Sequence, residues 1–241
     1  MTHIGIDISK NSTALCIERN GKTILFSYTT QKPNNIWIKD TSDFINYRHV
    51  KYNYKTIEDY SEREMKKFDD FEEVSDLIIN DIFDNVKILD SISIAIEGFS
   101  FSSAAGPIID LVELSTLIKH KIKSRVQGMV KIKIVAPLSL KVFSCEFVYE
   151  PVFITKGKRV IKKVKVIQDP NGKLGKDFDK KDMFEALLHS DISLDLIEHL
   201  KENKEAFLKN KDLPKPIDDI IDSCFLKEYV KNSQINKSKF S

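Results

Sequence analysis

The sequence has few of the residues that disulfide frameworks, zinc sites and glycine-rich phosphate loops require. Its three cysteines, Cys16, Cys145 and Cys224, are odd in number and far apart, so they form neither a disulfide framework nor a zinc-ligand pattern. We expect them to be small core residues. There are only eight glycines in 241 residues, and the segment GKLGK lacks the spacing and the Ser or Thr of a Walker loop.

Long hydrophobic runs are also missing. No apolar run approaches the roughly 18 residues of a membrane span, and the start MTHIGIDIS enters an apolar strand without the features of a signal peptide. These absences predict a cytoplasmic protein, in the host cytoplasm if the source is viral, with no membrane partner. The net charge of +2 identifies no partner, because nucleic-acid binding depends on where basic residues lie.

The hydrophobic pattern predicts one α/β domain over residues 1–241, since 41% hydrophobic residues can bury a sizeable core. Alternating or apolar segments predict strands in HIGIDIS, STALCIE, KTILFSYTT, SISIAIE and VKIKIVAP, with the turn signal Asn20-Gly21 joining the second and third. Helical spacing predicts helices over about 61–84, 106–123, 180–189, 193–208 and 217–232. The order βββ-α-β-α-β favours a five-stranded mixed sheet with helices on its faces.

Two segments interrupt this pattern and are interpreted as insertions, at about 31–60 and 146–176. The first is rich in aromatic residues and is expected to lie on the surface. The second contains a basic β-hairpin candidate at about 151–168. Between Lys156 and Lys181 there are ten basic and three acidic residues.

Acidic residues occur where strands of the predicted sheet end. Asp7 ends the first strand and Glu97 the fourth, so the two would face each other if these strands are neighbours. The stretch PIDDIID places Asp219 and Asp222 at i and i+3 on one helix face, although Asp218 and Asp222 at i and i+4 are an alternative pair. A helix docked over that sheet edge would bring four carboxylates together.

Four close carboxylates repel one another unless cations lie between them. Oxygen ligands without Cys or His suit Mg²⁺ or Mn²⁺, and paired metals are a recurring device for phosphodiester hydrolysis. Each acid alone could equally be a capping or exposed residue, so the hypothesis depends on their combination.

These motifs together resemble the RuvC-like Holliday-junction resolvases of the RNase H-like superfamily, in particular the bacteriophage-type members. The resemblance covers roughly residues 1–30, 90–145 and 176–230. It depends on GIDIS with Asp7, AIEGFSFSSAAG with Glu97, KKDMFEAL with Lys180, and PIDDIID with Asp219 and Asp222. It implies the strand order 3-2-1-4-5 and a crossover junction endodeoxyribonuclease with two Mg²⁺ or Mn²⁺ ions per site, held by the four acids, with Lys180 as a further catalytic residue.

The resemblance also implies partners. A homodimer would nick opposed strands of a four-way DNA junction, and the helix at about 106–123 is the candidate interface, although it could be ordinary core. An aromatic residue that props open the junction would be Phe99 or Phe101. The basic hairpin is expected to contact DNA through Lys158, Arg159, Lys162 and Lys163, or else to be a solvated surface.

Other functions stay open at this level. The strand GIDIS also opens actin-like ATPases, but the shortage of glycine-rich loops argues against one. Another RNase H-like nuclease could act on flaps, branched DNA or RNA–DNA hybrids. A non-catalytic DNA-binding relative is the third alternative.

Overall fold

The chain folds around a six-stranded mixed sheet that has helices on both faces. The structure is a computed structural model, and it describes residues 1–87, 91–99, 105–125, 130–148, 153–156, 159–162, 165–167, 174–190, 192 and 195–238. The sheet order is β4-β3-β2-β1-β5-β6. Its strands are β1 (Thr2–Asp7), β2 (Ser12–Arg19), β3 (Lys22–Thr29), β4 (Ile45–His49), β5 (Ile92–Glu97) and β6 (Val130–Val135).

The first three strands form an antiparallel meander. Its tight turn is at Asn20 and Gly21, which both have positive φ, 51° and 76°, as a two-residue hairpin turn requires. On the other side, β1 pairs in parallel with β5, and β5 pairs in parallel with β6. The five strands expected from the sequence thus lie side by side in the expected order.

The predicted number of strands is wrong, because β4 adds a sixth strand in parallel with β3. This strand comes from the segment 31–60, most of whose residues are exposed, as expected. Aromatic residues of the segment nevertheless pack inward: the ring centroids of Trp37 and Phe207 are 4.9 Å apart, and Tyr54 is buried. The strand was missed because only Ile45 of its five residues is buried, so no strand alternation is visible in the sequence.

Helices on one sheet face are α2 (Tyr60–Asn85) and α3 (Ala105–Arg125). The side chains of Ile4 and Ile6 on β1 join Leu15 and Ile17 on β2 in the core that these helices cover. The Asp59 carboxylate caps α2 by accepting from the Glu62 backbone N–H at 2.8 Å.

The opposite face carries most of the remaining helices. A second core joins Ala14 and Cys16 of β2 to residues of this helical layer, as the alternation of side chains along a strand requires. Cys16, Cys145 and Cys224 are all buried and free, which confirms the expectation from the sequence.

The helices after β6 are α4 (Pro137–Cys145), α5 (Lys180–Leu188), α6 (Leu196–Glu202), α7 (Lys204–Leu208) and α8 (Ile217–Ser238). A short α1 (Ile36–Asp40) and a 3-10 turn (Asn53–Thr56) precede α2.

The segment expected to form the basic hairpin contains two antiparallel strand pairs. Strands β7 (Phe153–Lys156) and β8 (Arg159–Lys162) pair with each other, and β9 (Lys165–Ile167) pairs with β10 (Leu174–Asp177). The hairpin predicted at about 151–168 therefore exists as β7 and β8. Within the described ranges, no helix has the length and apolar character that crossing a membrane requires.

Helix α8 lies directly against β1, and Gly5 makes this approach possible. A Cβ atom at Gly5 would overlap the Ser223 carbonyl oxygen and would lie 2.5 Å from the Lys227 backbone nitrogen. Farther along α8, the fully buried Lys227 ammonium pairs with Glu18 of β2 at 2.7 Å. Together the close approach and the ion pair fix the helix in position over the strands.

Gly5→Ala is expected to destabilise the protein by about 1–3 kcal/mol, because the added methyl group must push α8 away from β1. Urea denaturation followed by circular dichroism measures this loss. Gly98→Ala is the matched control, since a Cβ atom there would meet the Ile134 side chain at 3.2 Å and no overlapping backbone atom. Equal stability of the Gly5→Ala and wild-type proteins would contradict the close approach of α8.

Candidate active site

Two acidic residues lie side by side where β1 and β5 end. The parallel register pairs Ile6 with Ile96, so Asp7 and Glu97 follow at the same edge of the sheet. Asp7 lies two residues beyond Gly5 and therefore on the strand face that α8 covers. Asp7 is buried and Glu97 is half-buried.

Helix α8 supplies two further acids at this edge. Asp219 and Asp222 lie in the first turns of the helix, just before Ser223, the residue that meets Gly5, and both are buried. Carboxylate oxygens of Asp7, Glu97 and Asp222 all lie within 4.8 Å of one another. The fold thus brings acids from three elements to one point.

Two lysine ammonium groups border this acidic cluster. Lys180, at the start of α5, pairs with Asp222 and reaches the Asp218 carboxylate at 3.2 Å. Lys215, which precedes α8, pairs with Asp219 and reaches Asp218 at 2.9 Å. Asp218 is therefore held between two cations, whereas Asp7 lies among acids.

Lys215 was missed by the sequence analysis. Its spacing of four residues from Asp219 is a helical ion-pair signal, but Pro214 and Pro216 flank it, so it reads as part of a loop. Lys180 was noticed only through the family motif. Its position is fixed by the capping box of Asp179 and Asp182 at the start of α5.

Burial and mutual repulsion raise the pKa values of the clustered acids. Burial raises the pKa of Asp7 well above its ordinary value, and the charges of Asp222, Asp219 and Glu97 add to the effect. Burial also raises the pKa of Asp222 to about 7, although Lys180 opposes the shift. The pKa values of Glu97 and Asp219 are raised, again chiefly by burial. Each of these groups therefore resists ionisation unless further positive charge is present.

Asp218 behaves in the opposite way. Its partial burial would raise the pKa of its carboxyl group, but Lys180 and Lys215 outweigh that effect, and the pKa is lowered. Asp218 is thus a stable carboxylate with two partners, which distinguishes it from its neighbour Asp219.

The residues present fit a divalent cation. Asp222 Oδ1 is buried and has no hydrogen-bond partner among the residues that the structure describes, and a buried carboxylate oxygen without a partner is costly. All ligands of the cluster are carboxylate oxygens, which suit hard cations such as Mg²⁺ and Mn²⁺.

The residues expected to contact DNA are only partly within the described chain. Phe99 follows β5 and is half-buried, with the Lys119 ammonium 5.8 Å from its ring centroid. Phe101, Lys158 and Lys163 lie outside the described residues. Arg159 and Lys162 are the first and last residues of β8.

Comparisons with known proteins find similarity in structure but not in sequence. No protein-family model matches the chain, and no curated protein matches it. One similar solved structure is Thermus thermophilus RuvC, with 10% identity and a TM-score of 0.39 over 97% of this chain and 97% of that chain. A second is T. thermophilus RuvC in complex with a Holliday junction substrate, with 10% identity and a TM-score of 0.40 over 97% of this chain and 96% of that chain. A third is the yeast mitochondrial Holliday junction resolvase Ydc2, with 11% identity and a TM-score of 0.43 over 99% of this chain and 83% of that chain. Because the identities and the TM-scores are this low, the function of this chain has to be inferred from its own site.

Proposed function

We propose that the chain is a metal-dependent, structure-selective endonuclease that resolves four-way (Holliday) DNA junctions by phosphodiester hydrolysis. One observation carries the proposal: Asp7, Glu97 and Asp222 converge within 4.8 Å at a buried sheet edge. Three bare carboxylate charges this close together repel one another, and the cluster is suited to divalent cations. The resemblance of the motifs around these acids to junction resolvases supports the choice of substrate.

Asp7, Glu97, Asp219 and Asp222 would hold two Mg²⁺ or Mn²⁺ ions. When bound, paired ions of this kind lower the pKa of a water nucleophile and stabilise the leaving oxygen of an in-line displacement. The buried sheet edge keeps the carboxylates close together, and the contact of Gly5 with α8 sets the distance between Asp7 and Asp222. The protein therefore contributes a fixed arrangement of oxygen ligands.

Lys180 is proposed to act on the phosphate. Its ammonium borders the carboxylates of Asp222 and Asp218, and their charges raise its pKa although burial opposes this, so that it stays protonated. A fixed positive charge beside the reacting phosphate favours the negative charge that develops during cleavage. The whole chain would then serve as a single nuclease domain, with Phe99 or Phe101 entering the junction.

A gel assay tests the proposal directly. Purified protein is incubated with Mg²⁺ and labelled four-way junction, flap, linear duplex and RNA–DNA hybrid. Paired nicks in the junction, at a rate well above those for the other substrates, are expected. Preference for flaps or hybrids would favour another RNase H-like nuclease, and binding without cleavage under any metal condition would favour a non-catalytic relative.

The hairpin of β7 and β8 is proposed to lie along a DNA arm. Replacing Lys158, Arg159, Lys162 and Lys163 by Ala should weaken binding to all junction sequences alike, because phosphate contacts carry no sequence information. The dependence of log Kd on log salt should flatten by up to about 3 to 4, since each duplex phosphate contact contributes about 0.9. Binding titrations at several salt concentrations measure this slope. An unchanged slope would show that the hairpin does not touch DNA.

A homodimer is proposed because symmetric cleavage of a junction needs two active sites. One face of α3 is buried in the core through Leu114, Ile118 and Ile122. This is the arrangement expected if the helix is ordinary core. Its other face exposes Ile109 and Val112. Val112 lines an apolar groove of about 460 Å³ between α2 and α3, together with Met65 and Phe68, and exposed apolar patches of this kind are typical of interaction surfaces.

Val112→Glu is expected to convert a dimer into a monomer, because it places a charge in this groove. Light scattering at micromolar concentration should give twice the chain mass of 27.7 kDa for the wild type and the single mass for the variant. Leu77→Glu is the control, since Leu77 is also exposed and apolar on α2 but does not line the groove. A monomeric wild type, with and without junction DNA, would contradict the dimer.

A further inference from the structure

A cleft opens next to the acidic cluster on the side of α5 and the loop before α8. It has a volume of about 680 Å³, within the range of about 300–1,000 Å³ that ligand sites occupy. Four lysines line it: Lys180, Lys181, Lys211 and Lys215. Lys180 and Lys215 also border the carboxylates, so the cleft and the proposed active site share a wall.

The four lysines have different roles. The Lys181 ammonium donates to the backbone carbonyls of Leu208, at 2.8 Å, and Asn210, at 2.5 Å. It thereby ties the loop after α7 to α5 and gives the cleft a fixed shape. Lys180 and Lys215 share Asp218 between them, and they form the side of the cleft next to the carboxylates.

Lys211 differs from the other three. It is exposed and belongs to the loop that Lys181 anchors, and it has no ion-pair or hydrogen-bond partner among the residues that the structure describes. Three acids line the cleft: Asp179 caps α5, Asp218 pairs with Lys180 and Lys215, and Asp212 is the exposed neighbour of Lys211 in the same loop. The Lys211 ammonium therefore lies on a loop that is anchored to α5, lines the cleft and is available to an anion.

We infer that this cleft binds a backbone phosphate of the DNA strand adjacent to the phosphate that is cleaved, with Lys211 and Lys215 as its cationic contacts. The inference rests on the proposed nuclease function. A DNA strand carries one negative charge per about 3.4 Å of helix rise. When one phosphate lies at the carboxylates, the next phosphate along the backbone therefore lies close enough to reach the adjoining wall, where it would meet the lysines of the cleft.

The cleft also answers an electrostatic problem of the site. The two divalent cations proposed at Asp7, Glu97, Asp219 and Asp222 only balance the four carboxylate charges and leave little positive charge for the neighbouring phosphates of the strand. Ammonium groups along the adjoining wall supply this charge and hold the strand in one register. Lys215 contributes to both surfaces, since it pairs with Asp219 and also lines the cleft.

The test compares Lys211→Ala with Lys209→Ala, which removes the same charge from the same loop but lies outside the cleft lining. Junction binding is measured in Ca²⁺ as the probe metal, at several salt concentrations. We expect Lys211→Ala to flatten the slope of log Kd against log salt by about 0.7–0.9, the contribution of one phosphate, and Lys209→Ala to change it much less.

A second arm identifies the phosphate. Junctions carry one uncharged methylphosphonate at a single position on either side of the cleavage site. At one position, the substitution should weaken binding of the wild type and of Lys209→Ala but have no further effect on Lys211→Ala, because the contact is already lost. Additive losses at every position, or equal losses in the two variants, would overturn the inference. Adding inorganic phosphate at constant ionic strength distinguishes a free-phosphate site, since competition at micromolar phosphate would also overturn it.

Failure of the proposed function has a different signature. A wild type that neither binds nor cleaves branched DNA removes the basis for both claims. A wild type that cleaves junctions normally, with Lys211→Ala unchanged in slope and in its response to methylphosphonates, removes only the cleft assignment.

Discussion

Asp7→Asn is expected to reduce Mg²⁺-dependent junction cleavage by about 10²- to 10³-fold or more and to leave junction affinity largely unchanged. Asp7 is the buried carboxylate around which Glu97, Asp219 and Asp222 are placed. An amide keeps its size but cannot supply an anionic ligand. Single-turnover rates with saturating protein measure the loss, and titrations in Ca²⁺ measure affinity.

The other acids give the companion results. Glu97→Gln, Asp219→Asn and Asp222→Asn should each abolish cleavage in the same way. Asp218→Asn should be much milder, because the Asp218 carboxylate is held between Lys180 and Lys215. Full activity of Asp222→Asn would contradict the site. Loss of activity in Asp218→Asn with retention in Asp219→Asn would mean that Asp218, and not Asp219, is the metal ligand.

The same Asp7→Asn change is expected to stabilise the protein when metal is removed with EDTA. Burial and the neighbouring acids raise the pKa of Asp7 in the folded protein. The folded protein therefore keeps a proton on Asp7 at pH values where the unfolded chain, with the ordinary pKa of aspartate, has released it. Stability from this group is present while it is protonated and is lost as pH rises through the raised pKa. Removing such a functional carboxylate should gain about 1–2 kcal/mol at pH 8.

Thermal denaturation at several pH values measures this effect as a rise of roughly 2–8 °C. The difference in melting temperature between Asp7→Asn and wild type should be small near pH 4 and should grow toward pH 8, since burial raises the pKa of the neighbouring Asp222 to about 7. Excess Mg²⁺ should stabilise the wild type and not the variant.

Asp218→Asn is the control with the opposite sign. Lys180 and Lys215 lower the pKa of the Asp218 carboxyl group against the effect of burial. The ionised carboxylate therefore stabilises the fold at pH values above the ordinary pKa of aspartate. The Asp218→Asn variant should be less stable than the wild type at pH 7. A destabilised Asp7→Asn protein at pH 8 in EDTA would contradict the proposed repulsion among the acids.

Local pattern was sufficient for most of the fold. Alternation placed β1, β2, β3 and β5, and the periodicity of 3.6 placed α2 and α3, because each element buries one face and its sequence shows that face. The sequence could not reveal β4. Its pairing is with the edge of β3 and only Ile45 is buried, so its strand conformation is imposed by a distant neighbour.

The candidate site divides in the same way. Which acids end β1 and β5, and which lie on one face of α8, can be read from the sequence, since strand ends and helix spacing are local properties. That Asp7, Glu97 and Asp222 meet cannot be read from it, because their convergence depends on the close approach of α8 to Gly5. The different pKa shifts of Asp218 and Asp219, and the position of Lys215 and Lys211 in one cleft, also depend on the tertiary structure. Charges far apart in the chain interact only after packing has set the distances between them.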